Sequence, residues 1–157
     1  MDGGADDDVL QLSTGAHTFA DDNKLKNIEE VKTNSSGSEV VLTAQTEALK
    51  ITGGAGVDKI TGGAGVDTID GSGGDDIITG GAGDDIITGG AGDDIITGGS
   101  GADTFKVDAG TDAVKDLATT DILIISENAT ANATVAVEFT ATSDTVNHAN
   151  NAVSKAV

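Results

Sequence analysis

Six aspartates stand nine residues apart: Asp58, Asp67, Asp76, Asp85, Asp94 and Asp103. Carboxylates in a regular series can do two kinds of chemistry, acid–base catalysis or cation binding. The adjacent pairs Asp75–Asp76, Asp84–Asp85 and Asp93–Asp94 raise the first. Neighbours in so extended a chain point apart, however, and no nucleophile, base and orienting group can be assembled around them. His17 and His148 lie in segments of different character without metal-ligand spacing, so they read as surface residues. With no cysteine, a thiolate nucleophile and a disulfide framework are both excluded. Cation binding is the chemistry that fits.

The elements that must position these carboxylates are written in the same period. Six units run without a gap: Gly53–Thr61, Gly62–Asp70, Gly71–Thr79, Gly80–Thr88, Gly89–Thr97 and Gly98–Lys106. Position eight is always large and apolar, namely Ile60, Ile69, Ile78, Ile87, Ile96 and Phe105. Fixed-period similarity is the mark of a solenoid whose units must stack to bury their apolar face. The last three residues of a unit form a short strand, with position eight inward and positions seven and nine outward. The first six form a turn, because glycine admits positive φ and close backbone approach.

Two units per coil stack equivalent turns every eighteen residues, about 4.8 Å apart. Asp58, Asp76 and Asp94 then form one column, and Asp67, Asp85 and Asp103 a second. Carboxylates at that spacing repel by roughly 3 kcal/mol per pair at an effective dielectric near 20. A hard divalent cation between turns reverses the sign, taking carboxylate oxygens together with carbonyls of the glycine turns. Calcium accepts such an all-oxygen shell more readily than magnesium, which demands a smaller, rigid octahedron.

The units resemble the RTX nonapeptide, G-G-x-G-x-D-x-U-x, over about a third of the chain, with one glycine slot missed at Ser72. The resemblance implies an all-β fold, a right-handed parallel β-roll or β-helix solenoid, with calcium held between turn n and turn n+2. Full sites fall at Asp58/Asp76, Asp76/Asp94, Asp67/Asp85 and Asp85/Asp103. Main-chain carbonyls complete them, contributed by Gly53, Gly54, Gly62, Gly63, Gly71, Gly80, Gly81, Gly89, Gly90, Gly98 and Gly99. The implied complement is about four calcium ions or more.

Residues 1–52 read as irregular β rungs that cap the N-terminal end. Gly3–Gln11 looks like a decayed copy, with Asp8 at position six and Leu10 at position eight; separated from the main block, it is not counted among the sites. Strand-like pieces follow at Lys26–Thr33, Ser38–Ala44 and Ala48–Thr52, with a turn at Asn34–Gly37. Residues 107–157 read as a β cap. The stretch Thr111–Ser126 resembles the segment that closes many rolls, and places Asp112 and Asp116 beside the last turn, where they finish a terminal calcium site or charge a capping hairpin. Beyond it, Thr134–Thr140 alternates as a strand and Asp144–Ala156 as a short helix capped by Asp144. The tail has the texture of an uncleaved export signal.

A formal net charge of -19 excludes nucleic acid and anionic membrane as partners and favours cations. No run approaches the roughly 18 apolar residues of a membrane span. The expectation is a non-enzymatic, calcium-folded structural module, extracellular or at the cell surface, of a bacterial surface-layer protein or adhesin exported by the one-step (type I) route. The alternative is the accessory and secretion domain of a secreted hydrolase. Outward Ile77 and Ile95 add self-association or another surface component as a partner, and the row Thr61, Thr79, Thr97 adds ice binding as a minor alternative.

Overall fold

The computed structural model describes residues 2–21, 25–127 and 129–135, and all regular structure among them is β. Fourteen strands alternate between two parallel sheets. The first sheet holds β1 (Val9–Gln11), β3 (Glu30–Lys32), β5 (Lys50–Thr52), β7 (Thr68–Asp70), β9 (Ile86–Thr88), β11 (Thr104–Val107) and β13 (Ile122–Ile125). The second holds β2 (Gly15–Thr18), β4 (Ser38–Val41), β6 (Lys59–Thr61), β8 (Ile77–Ala82), β10 (Ile95–Ser100), β12 (Thr111–Leu117) and β14 (Thr130–Val135). Each strand pairs with the strand two ahead, so two strands and two turns make one coil of a solenoid of about seven turns.

Register follows the repeat. Ile51, Ile69, Ile87 and Phe105 stack along one sheet, and Val40, Ile60, Ile78 and Ile96 along the other. All eight are completely buried, while Ile77, Ile86 and Ile95 at position seven lie on the outside. Burying an isoleucine stabilises by roughly 1.5–3 kcal/mol, so a one-residue slip would forfeit every rung at once. Ile77 faces Ile95 on one sheet, and Ile86 lies on the other. The row Thr61, Thr79, Thr97 is in register beside them.

Both sheets run unbroken from β1 and β2 through the repeats to β13 and β14. The N-terminal strands are shorter than the alternating pieces in the sequence, because the chain must turn after three or four residues to change sheets. Asn27, at φ 50, turns the chain before β3, and Gln45 N donates to Leu42 O just after β4. Asn34–Gly37 is the turn expected: Ser36 N donates to Asn34 Oδ1 at 2.8 Å, and Gly37 has φ 86. In the repeats, β8 and β10 continue beyond three residues, pairing Gly81 with Gly99 and Ala82 with Ser100. At the C-terminal end, β12 and β13 belong to different sheets, so this segment is another coil and not a capping hairpin. Thr134 and Val135 fall in β14, whereas residues 136–140, the helix expected at Asp144–Ala156, the export-signal reading and His148 lie outside the described residues.

Candidate metal centre

The six repeat aspartates are all buried, with at most 1% of their surface exposed. Each side chain reaches back to the preceding turn. In the first column, Asp58 N donates to Asp76 Oδ1 at 2.7 Å, Asp76 N to Asp94 Oδ1 at 2.8 Å, and Asp94 N to Asp112 Oδ1 at 3.0 Å. In the second, Asp67 N donates to Asp85 Oδ1 at 2.8 Å, Asp85 N to Asp103 Oδ1 at 2.9 Å, and Asp103 N to Asp121 Oδ1 at 3.0 Å. The two columns inferred from an eighteen-residue coil are present, and each is one aspartate longer than the repeats themselves. The closing-segment resemblance places Asp112 beside the last turn; it does not single out Asp121, although that residue stands eighteen after Asp103.

The second carboxylate oxygen divides the turns into two kinds. Asp58 Oδ2 accepts from Gly54 N at 2.8 Å and from Thr33 Oγ1 at 3.3 Å, and Asp67 Oδ2 from Gly63 N at 2.9 Å. Further along, positions two and four of the turns take positive φ: Ser72 and Gly74, Gly81 and Gly83, Gly90 and Gly92, Gly99 and Gly101. There Asp76, Asp85 and Asp94, with Asp112 in the next coil, hold a buried Oδ2 that has no hydrogen-bond partner. A buried carboxylate oxygen with nothing to bind is costly, and a cation is the partner that matches it.

The surroundings fit one. A Cβ on Gly80 would strike Asp85 Oδ2 and lie 2.6 Å from the carbonyl oxygen of Gly98, one coil ahead. Gly71 repeats this with Asp76 Oδ2 and Gly89 O, and Gly53 and Gly62 direct the same approach at Gly71 O and Gly80 O. Carboxylate and carbonyl oxygens therefore converge where position one lacks a side chain, a hard-donor set suited to calcium. No three acidic or imidazole side chains gather at one point among the described residues, so main-chain carbonyls must supply much of any shell. The position-two carbonyls of Gly54, Gly63 and Ser72 also accept the N–H of Gly73, Ala82 and Ala91 in the next coil, at 3.0 Å each.

Without a cation the columns resist ionisation. Burial pushes Asp76 and Asp85 up to about 7 and Asp112 to about 6, partly opposed by the main-chain N–H that each accepts, with neighbouring carboxylates adding to the rise. Asp67, Asp94 and Asp103 are raised too, again chiefly by burial. A bound divalent charge would favour the ionised forms.

Asp116 plays a different part. Its Oδ1 accepts from Gly98 N at 2.9 Å and its Oδ2 from Gly99 N at 2.8 Å, so both oxygens hold the last glycine turn. The position-five aspartates, unassigned from the sequence, point forward: Asp75, Asp84 and Asp93 accept the N–H of Asp93, Ala102 and Thr111. His17 lies on β2, half-buried, its Nε2 2.8 Å from Ser13 O.

No curated protein and no solved structure matches the chain. One family does: the RTX calcium-binding nonapeptide repeat (4 copies) matches residues 50–78, 70–105 and 79–114, reaching past the last glycine-rich unit to include Asp112. Repeats of that family bind calcium. With its glycine turns stacked and its carboxylates in two columns, this chain carries, over residues 50–114, an array of RTX calcium-binding nonapeptide repeats built as a β-roll.

Proposed function

We propose that the chain is a non-catalytic structural module whose folding is driven by calcium, within an exported bacterial protein of the cell surface, a surface layer or an adhesin. The observation that carries this reading is the set of four buried, unpartnered Oδ2 atoms, at Asp76, Asp94 and Asp112 in one column and at Asp85 in the other. Each is a coordination position that calcium fills and a neutral side chain does not. In a calcium-poor cytosol the columns repel and the chain stays unfolded and export-competent. Outside, calcium near the weak end of the loop-site range, about 10⁻⁴–10⁻³ M, turns binding free energy into folding free energy. RTX repeat proteins are typically type I secreted and extracellular, which supports that setting.

The test is a calcium titration of the purified chain by far-UV circular dichroism, with magnesium and a chelator as controls. A cooperative coil-to-β transition specific to calcium is the expected result. A spectrum indifferent to calcium and chelator, together with metal analysis finding no bound ion, would overturn the reading. A second role, self-association in calcium, is favoured by the adjacent exposed pair Ile77 and Ile95. Sedimentation of wild type against an Ile77→Ser/Ile95→Ser variant tests it, and a wild-type monomer at all concentrations would dismiss it.

A further inference from the structure

The geometry points to a separate cation site at the N-terminal end of the roll, formed by Asp8, Glu29 and the main-chain carbonyl of Asn27, outside the residues the repeat family matches. It rests on the reading that the repeats bind calcium. Strand registers place Asp8, Glu29, Leu49, Asp67, Asp85, Asp103 and Asp121 in one file, each immediately before a strand of the first sheet. Asp8 N donates to Glu29 Oε2 at 2.8 Å, reproducing the bond from Asp67 N to Asp85 Oδ1 at the same distance. Below them, Glu30 N donates to Asp8 O at 3.1 Å, as Ile86 N does to Asp67 O at 2.9 Å.

The turn itself agrees. Gly4, at position two of the decayed copy, has φ 113, beside 129 for Gly81 in the repeats. A Cβ on Gly3 would strike Asp8 Oδ2 and Asn27 O, just as one on Gly80 meets Asp85 Oδ2 and Gly98 O. Asp8 is half-buried as a residue, but its Oδ2 is buried and has no hydrogen-bond partner, like the Oδ2 of Asp76, Asp85, Asp94 and Asp112. Glu29 lies 21 residues after Asp8 where the repeats step by 18, so a nine-residue pattern passes over it. Two carboxylates and a carbonyl make a hard-donor set for calcium. Leu49 interrupts the file: its N–H is held by Asp67 Oδ1 at 2.9 Å, but it brings no carboxylate. The site is thus set apart from the main array by one coil and binds its ion independently, pinning β1 to β3.

The experiment is equilibrium dialysis of the full chain against calcium chloride, with metal analysis, for wild type and for Asp8→Asn, Glu29→Gln and Gly3→Ala. Each variant should hold about one ion fewer per chain, while the midpoint of the calcium-driven dichroism transition stays within about twofold, as for distant independent sites. Gly3→Ala fills the cradle with a methyl group and leaves both carboxylates in place, separating loss of the site from loss of charge. An unchanged ion count in the variants overturns the site and leaves the main array standing. A collapse of the whole transition in Asp8→Asn would make Asp8 part of that array and equally overturn a separate site. A wild type that binds no calcium would sink the parent reading instead.

Discussion

The first two repeat turns, residues 53–58 and 62–67, and the four that follow, 71–76 through 98–103, share nearly one sequence and adopt two structures. In the first pair the carboxylate closes on its own turn, accepting from Gly54 or Gly63. In the turns of Asp76, Asp85 and Asp94 it leaves one oxygen buried and open. The difference lies underneath. Gly54 packs on Asn34 O and Gly63 on Gln45 O, both in turns that are not repeats, whereas Gly81 and Gly99 rest on Gly63 and Gly81. Within the main array, a repeat turn takes the open, positive-φ form where another repeat turn supports it. The open carboxylate oxygen in these turns is therefore a property of stacked neighbours and not of one nonapeptide.

Removing calcium should break the comparison most widely. As calcium is lowered from saturation at neutral pH, before the chain unfolds, amide exchange of β8 through β12 should lose protection by several orders of magnitude, and β3 through β7 should lose less; equal loss throughout would show that the two kinds of turn do not differ in metal dependence. A core substitution comes next. Ile87→Ala, at a fully buried rung, should cost about 2–5 kcal/mol in saturating calcium, read from denaturant midpoints. Asp85→Asn against Asp58→Asn sharpens the contrast directly. The first should raise the calcium midpoint about tenfold and the second by less than about threefold, a difference near 1 kcal/mol. Equal shifts would mean that the closed turns bind as well as the open ones.

Acidity offers a reversal. In the metal-free roll Asp76 and Asp85 sit near 7 and Asp112 near 6, above the ordinary carboxylate value of 3.8. Folding there takes up protons, so the metal-free roll is favoured below about pH 4 and loses that advantage as pH rises through 6 to 7. β signal in chelator should thus be greater at pH 4 than at pH 8, while calcium affinity should fall from pH 8 to pH 6. Dichroism at the four conditions checks both signs. The smallest effect is expected at Ser72, which holds φ 73 in a glycine slot, with its N–H on Asp70 Oδ1 at 2.9 Å. Ser72→Gly should stabilise by about 0.5–1 kcal/mol, since that main-chain bond survives and the left-handed strain goes; a lower melting temperature would contradict it.

The period of nine was enough to predict the strands, the inward row of isoleucines and both aspartate columns, because all of these depend on spacing along a chain that coils every eighteen residues. It fell silent where glycine gave out. Asp112 and Asp121 continue the columns through VDAGTD and DLATTD, turns with little or no glycine; the resemblance of Thr111–Ser126 to a closing segment singled out Asp112, and only the eighteen-residue offset from Asp103 pointed to Asp121. Glu29 had no such hint, since its coil is longer by three residues. Which turns close and which stay open, and that Asp116 spends both oxygens on Gly98 and Gly99, was decided by the turn lying above or below each one. Covalent order carries a repeat's composition; the Oδ1 partner of a buried carboxylate comes from the neighbouring coil, and tertiary stacking selects whether Oδ2 closes on its own turn.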